Sequence, residues 1–238
     1  MKERQEITAK VTNKLDVIIR ATRPGVNLEE SFYAINWFST KVEWLYHFYN
    51  LLASKSVKKI GGTAFFKAKV TETILDELQG RRELILIVRY PGGQNFKALL
   101  ESTYFKIVSI FRVLSVTDFT FGFTHKIESD PNSKVEDGLH YAIHHFKTTK
   151  KADETLKNIQ TVLPENIRIK YSGYTIATLN SQEKDKAMSQ IPNLMDGLYI
   201  FQSPEEENLR TLFKSDAYQT FLSTFQSSHI SLLNRISI

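Results

Sequence analysis

Tyr33-Ala34-Ile35-Asn36-Trp37-Phe38 returns later in the chain as Tyr141-Ala142-Ile143-His144-His145-Phe146, with four of six residues identical at an offset of 108. A second stretch, Leu99-Leu100-Glu101-Ser102-Thr103-Tyr104, returns as Leu212-Phe213-Lys214-Ser215-Asp216-Ala217-Tyr218 with one residue inserted. Past that insertion Tyr104, Ser109 and Phe111 meet Tyr218, Ser223 and Phe225 at an offset of 114. Solenoid units are about 20–50 residues long. A repeat of about 110 residues is the size of a small domain instead.

The chain has 238 residues, 42% of them hydrophobic and 12% aromatic, enough to bury a full core. No run approaches the roughly 18 apolar residues of a membrane span, and no apolar signal-peptide core opens the sequence. Cysteine is absent, which excludes disulfides, thiolate metal sites and cysteine nucleophiles together. These features lead to an expectation of a cytoplasmic protein. The net charge is +5. It reads as a solvated, lysine-rich surface, because no basic stripe with interleaved aromatics marks a nucleic-acid site. Lys55, Lys58 and Lys59 sit at a helix end, where the dipole favours cations.

Residues 1–30 stand outside the repeat. Ile7, Val11, Leu15, Ile18 and Ile19 fall on one helical face, which Pro24-Gly25 ends. This arm reads as an amphipathic helix. The first module, residues 31–126, reads strand (31–38), helix (41–56), two strands (63–75 and 83–90), one long helix from Phe96 to Leu114, and a strand (118–125). Residues 127–137 are a polar linker. The second module, residues 138–238, repeats the order: strand (139–146), short helix (152–163), strands (167–179 and 197–201), helix (205–226) and strand (230–236). Two successive β-α-β-β-α-β units are two ferredoxin-like folds. The expected class is α+β, with two tandem modules whose antiparallel sheets, apolar on both faces, close on each other as an intramolecular α/β-barrel pseudo-dimer.

Arg89-Tyr90-Pro91, Phe96, Leu99-Leu100, Ser102, Tyr104 and Arg112 resemble the second-helix signature of the dimeric α/β-barrel superfamily. Tyr33-Ala34-Ile35-Asn36 resembles its first strand. That superfamily includes antibiotic-biosynthesis and haem-degrading monooxygenases. The resemblance covers residues 31–125 well and 137–238 more weakly. It implies a fold, and it implies that Asn36 lies in a substrate pocket.

Asn36 offers two donors and an acceptor, and its face-mates Ala34 and Phe38 place it toward a cavity between sheet and helices. His144 replaces it in the second module and stands as the polar group of a second pocket, while His145 and Trp37 take the opposite, packing face. Arg89 and Arg112 have the reach to hold a carboxylate, and Tyr90 joins Asn36, His144 and Arg112 as a candidate ligand contact. Gly92-Gly93 offers amides before a helix, a pattern shared by anion sites and ordinary turns. His140 and His144 on a strand stand about 13 Å apart, too far to share an ion, so no metal is expected. The haem-degrading relatives carry a tryptophan and a histidine on the second helix. Leu99 and Val108, with Leu212 and Leu222 in the other half, stand nearest those positions, and none of the four ligates iron. No cofactor is expected.

The leading expectation is a barrel protein that binds a small, largely apolar molecule, of the cofactor-independent monooxygenase kind. The alternative is a structural or interaction protein that has lost the ancestral site. A haem-binding, chlorite-dismutase-like protein is a lesser alternative. The expected partners are a small-molecule ligand and further copies of the chain, with neither nucleic acid nor membrane.

Overall fold

A computed structural model describes residues 19–21, 27–77, 82–128, 138–149, 154–155, 158–179 and 196–236. The strands are β1 (Ile19–Ala21), β2 (Phe32–Thr40), β3 (Thr63–Asp76), β4 (Leu84–Tyr90), β5 (Val116–Glu128), β6 (His140–Lys147), β7 (Arg168–Leu179), β8 (Gly197–Ser203) and β9 (Ser227–Arg235). The helices are α1 (Glu43–Lys59), α2 (Gly93–Glu101), α3 (Thr103–Ser115), α4 (Glu206–Lys214) and α5 (Asp216–Leu222). α1 ends at Gly61, whose φ of 78° takes the left-handed conformation that glycine adopts at no steric cost.

All pairings are antiparallel, in the order β7-β5-β2-β4-β3-β9-β6-β8, and β8 returns to β7. The sheet is therefore a closed eight-stranded barrel, and β1 adds to the end of β7. The first half contributes β5-β2-β4-β3 and the second β9-β6-β8-β7, the same order by position in each half. They join edge to edge at two hydrogen-bonded seams, β3–β9 and β5–β7. Closure leaves no long edge to pair with another chain.

Strand alternation sorts the side chains into three layers. The lumen is filled by Ile35, Trp37, Phe66, Ile85, Tyr141 and Leu198 among others. Outside the first half Phe32, Ala34, Phe96, Leu99 and Phe123 pack beneath the helices. Outside the second, Phe146, Tyr199, Phe201, Leu209, Phe213 and Tyr218 do the same.

The α/β barrel expected from the sequence is present, its strands joined at the two seams into one closed surface. Several other expectations change. Each expected long helix is two. Ser102 separates α2 from α3, its hydroxyl accepting from Phe105 N at 3.4 Å. Ser215 separates α4 from α5, accepting from Tyr218 N at 3.3 Å. The matched caps also remove the expected insertion. Ser102 and Ser215 correspond at 113 (215 − 102), so Phe105, not Tyr104, is the counterpart of Tyr218. Ile19, expected on the arm helix, lies in β1, where Ile19–Ala21 pair with Ala177–Leu179. The rest of that helix lies outside the described residues. Of the short helix expected at 152–163, Glu154-Thr155 are helical, Asn158–Thr161 form a 3-10 turn, and residues 152–153 and 156–157 lie outside the described residues. β5 runs to Glu128, into the expected linker. His229 lies within β9.

Candidate functional site

Position 36 and its counterpart 144 have opposite surroundings. In β2, Asn36 stands opposite Leu86 on one side and Phe121 on the other. In β6, His144 stands opposite Tyr199 and Ile230. Both project outward, beneath helices. His144 is fully buried, with Nδ1 2.8 Å from the Tyr218 hydroxyl and Nε2 3.0 Å from Ser228 Oγ. Phe146, Tyr199 and Phe225 surround the ring. Both nitrogens are satisfied, and no polar atom of His144 is left for a ligand. Burial, with a smaller push from nearby His229, pulls its pKa down to about 3, so the ring is neutral.

Asn36 is only half-buried. Its Nδ2 donates to the Leu86 carbonyl at 3.1 Å and, at 3.4 Å, to that of Ala34. The bonds to Leu86 and Ala34 fix the side chain, and among the described residues Oδ1 has no partner. The side chain is thus a positioned acceptor on the helix-facing side of β2.

Tyr90 is buried in the layer that holds Phe96 and Leu99. Its hydroxyl lies within electrostatic reach of Tyr49 on α1 and Arg112 on α3, and burial raises its pKa. Tyr49 is raised by burial too and opposed by Arg112. The Arg112 guanidinium lies 4.9 Å over the Phe119 ring, and its Nε is buried without a partner among the described residues. Phe119 stacks on Phe121, which is opposite Asn36. Between the first sheet and its helices one layer therefore holds an acceptor, a cationic donor and two phenols among aromatic rings. Tyr49 escapes a reading of the sequence because it lies on the apolar face of α1. The counterparts of Tyr90 and Arg112 in the second half are Ser203 and Phe225, so the constellation is not repeated there.

The Gly93 amide, an anion candidate in the sequence, donates to Leu28 O at 2.6 Å, so it serves the chain. A Cβ at Gly92 would collide with the Glu29 carbonyl, which accounts for that glycine. At one end of the lumen Tyr33, Phe65 and Tyr171 form an aromatic cluster. The Lys126 ammonium lies 5.0 Å from the Phe65 ring centroid, its pKa lowered to about 8 by burial and by Lys170 and Arg89. At the other end Asp76, His229 and Ser231 make a hydrogen-bonded chain, at 3.1 and 2.9 Å, beside an open cleft of about 490 Å³. Ser231 is fully buried, so this chain presents no nucleophile to the cleft. No group of metal-ligating side chains occurs among the described residues, and no described helix is long and apolar enough to cross a membrane.

No family model and no curated protein matches the sequence. Solved structures do. An anthrone oxidase-like protein aligns over 92% of this chain and 94% of its own, with 11% identity and a TM-score of 0.53. A candidate monooxygenase of Lactobacillus acidophilus NCFM aligns over 87% and 94%, with 12% identity and a TM-score of 0.47. A chlorite dismutase of Candidatus Nitrospira defluvii aligns over 86% and 91%, with 8% identity and a TM-score of 0.45. The chain has the dimeric α/β-barrel fold.

Proposed function

We propose that this chain is an intramolecular pseudo-dimer of two ferredoxin-like modules, and that the first module binds a small, largely apolar molecule between its sheet and helices. The observation that carries the reading is the contrast between equivalent positions. Asn36 is anchored with its acceptor unpartnered, whereas His144 is sealed by Tyr218 and Ser228. The first module keeps a site, and the second is scaffold. Asn36, Tyr90 and Arg112, with Tyr49, are the proposed contacts, while His144 is withdrawn from the second pocket that the sequence suggested.

The polar groups favour an aromatic ligand with a hydroxyl. Asn36 Oδ1 accepts from that hydroxyl, and Arg112 stabilises the anion left when it ionises. Such a pocket suits cofactor-independent oxygenation, in which the substrate supplies the electrons. An activated methylene and O₂ give a carbonyl and water. One oxygen enters the product, and the other leaves with the two hydrogens. The test is fluorescence titration with a panel of hydroxylated polycyclic aromatics. A one-to-one complex is expected. Asn36→Ala should weaken it at least about fivefold without lowering the melting temperature appreciably, because the residue is half-exposed. Failure of every member of the panel to bind, or equal binding by Asn36→Ala, overturns the reading.

The second reading, a structural or interaction protein, is favoured by one feature. His144 and its neighbours fill the second module's equivalent space completely, as expected where a site has been lost.

A further inference from the structure

The helical layer of the first half has an apolar outer face. On α1, Trp44 and Leu51 are exposed, Trp44 by 70%. On α3, Ile107, Ile110 and Val113 are exposed, Val113 by 66%. Phe48 of α1 meets Phe111 of α3 edge-on at 5.4 Å, so the two helices form one continuous platform. Tyr104 and Leu114 extend it along α3. α3 is buried beneath at Val108, and its outward side is apolar apart from Thr103 and Lys106. A helix apolar on most of its outer face as well as its inner one belongs inside an assembly.

The second half supplies an internal control. With Ser102 matched to Ser215, Ile107, Ile110 and Phe111 correspond to Thr220, Ser223 and Thr224. Thr220, Ser223 and Thr224 are exposed. Thr220 lies on α5 and Ser223 and Thr224 in the turn that follows it, and all three are polar where they meet water. The barrel therefore does not require apolar residues there, and their presence on α3 has another cause.

We infer that this face binds a second copy of the chain. With its eight side chains exposed by 43–70%, the platform amounts to on the order of 900 Å², taking roughly 200 Å² for a fully exposed large side chain. A standard interface buries about 800 Å² per partner, and the largest apolar patch of an ordinary monomer is about 300–600 Å². Charge selects the partner. α1 carries Glu43 in its first turn and Lys58 and Lys59 in its last. A twofold axis across α1 sets the two copies antiparallel, so the acidic end of each meets the basic end of the other. Along α1 the face is thus complementary to itself.

The experiment is sedimentation equilibrium of the full chain across a dilution series. A dimer is expected at micromolar concentration. Ile110→Asp should raise the dissociation constant at least about a hundredfold with unchanged circular dichroism, because the side chain is exposed in the monomer. Glu43→Lys should weaken the dimer, and adding Lys58→Glu with Lys59→Glu should restore it, an outcome that general stickiness does not produce. A wild type monomeric at 100 μM overturns the inference. So does a dimer indifferent to Ile110→Asp. A monomer that binds anionic vesicles through this face assigns it to lipid. A chain that dimerises only after residues 1–18 are removed assigns it to its own N-terminal segment. Either result overturns the proposal.

Discussion

The rings of Trp37 and His145 stack across the lumen, with centroids 4.6 Å apart and planes 15° from parallel. Trp37 is the sixth residue of β2 and His145 the sixth of β6, so equivalent places in two strands meet face to face. Both His145 nitrogens are buried and lack partners among the described residues. Burial, with the nearby cationic forms of His229, His144 and Arg82, holds its pKa well below the usual histidine range.

Truncating that contact should be costly. His145→Ala removes a buried ring and leaves a cavity beside Trp37, with an expected loss of about 2–4 kcal/mol. The chain has two tryptophans, and Trp44 is exposed. In a Trp44→Phe background the emission reports Trp37 alone. It should be blue-shifted in the parent and move red in His145→Ala. An unmoved spectrum with unchanged urea midpoint would count against the stacked geometry.

Acid should unfold the protein through its buried imidazoles. His144 has a folded pKa of about 3 against 6.5 in the unfolded chain. The unfolded state therefore binds the proton first, and stability rises with pH across that window. The contribution is complete above about pH 6.5 and is lost as pH falls toward 3, at up to about 1.4 kcal/mol per unit for each such group. His144→Gln cannot titrate there, so its stability should fall less steeply between pH 6 and 4 in urea titrations. Parallel pH profiles for variant and parent would contradict this account.

Neither half should fold contentedly alone. Each seam is an extended run of strand pairing with two register shifts, and separation exposes both edges together with the lumen face. Residues 1–128 and 136–238, expressed separately, should aggregate or form homodimers. Their mixture should give a heterodimer by light scattering. A monomeric, cooperatively melting single half would show that the halves are independent domains.

Added hemin should give no stoichiometric complex. His144 and His145 are sealed in β6, and His229 is tied to Asp76 and Ser231. A Soret band with the signature of an axial histidine, lost in a single His→Ala variant, would overturn this expectation.

Much of the architecture was legible. The 108-residue offset puts Asn36 and His144 in register, and the structure keeps them so through the pairs Asn36–Leu86 and His144–Tyr199. The helix breaks were not legible, because apolar spacing continues through Ser102 and Ser215, where only a serine hydroxyl interrupts it. The identity of Tyr104 and Tyr218 misled the alignment by one residue. Tyr104 faces outward, whereas Tyr218 holds His144. β1 was hidden because Ile19 extends a helical spacing and three residues carry no strand period. The closure around His144 was unreadable because Tyr218 and Ser228 lie 74 and 84 residues away.

Thr220, Ser223 and Thr224 matter for what they forbid. Had both halves kept an apolar outer helix, each chain would carry two self-complementary surfaces, and growth into filaments would be open to it. With hydroxyls on one side, the proposed face gives each molecule a valence of one, and association through it stops once two chains have met.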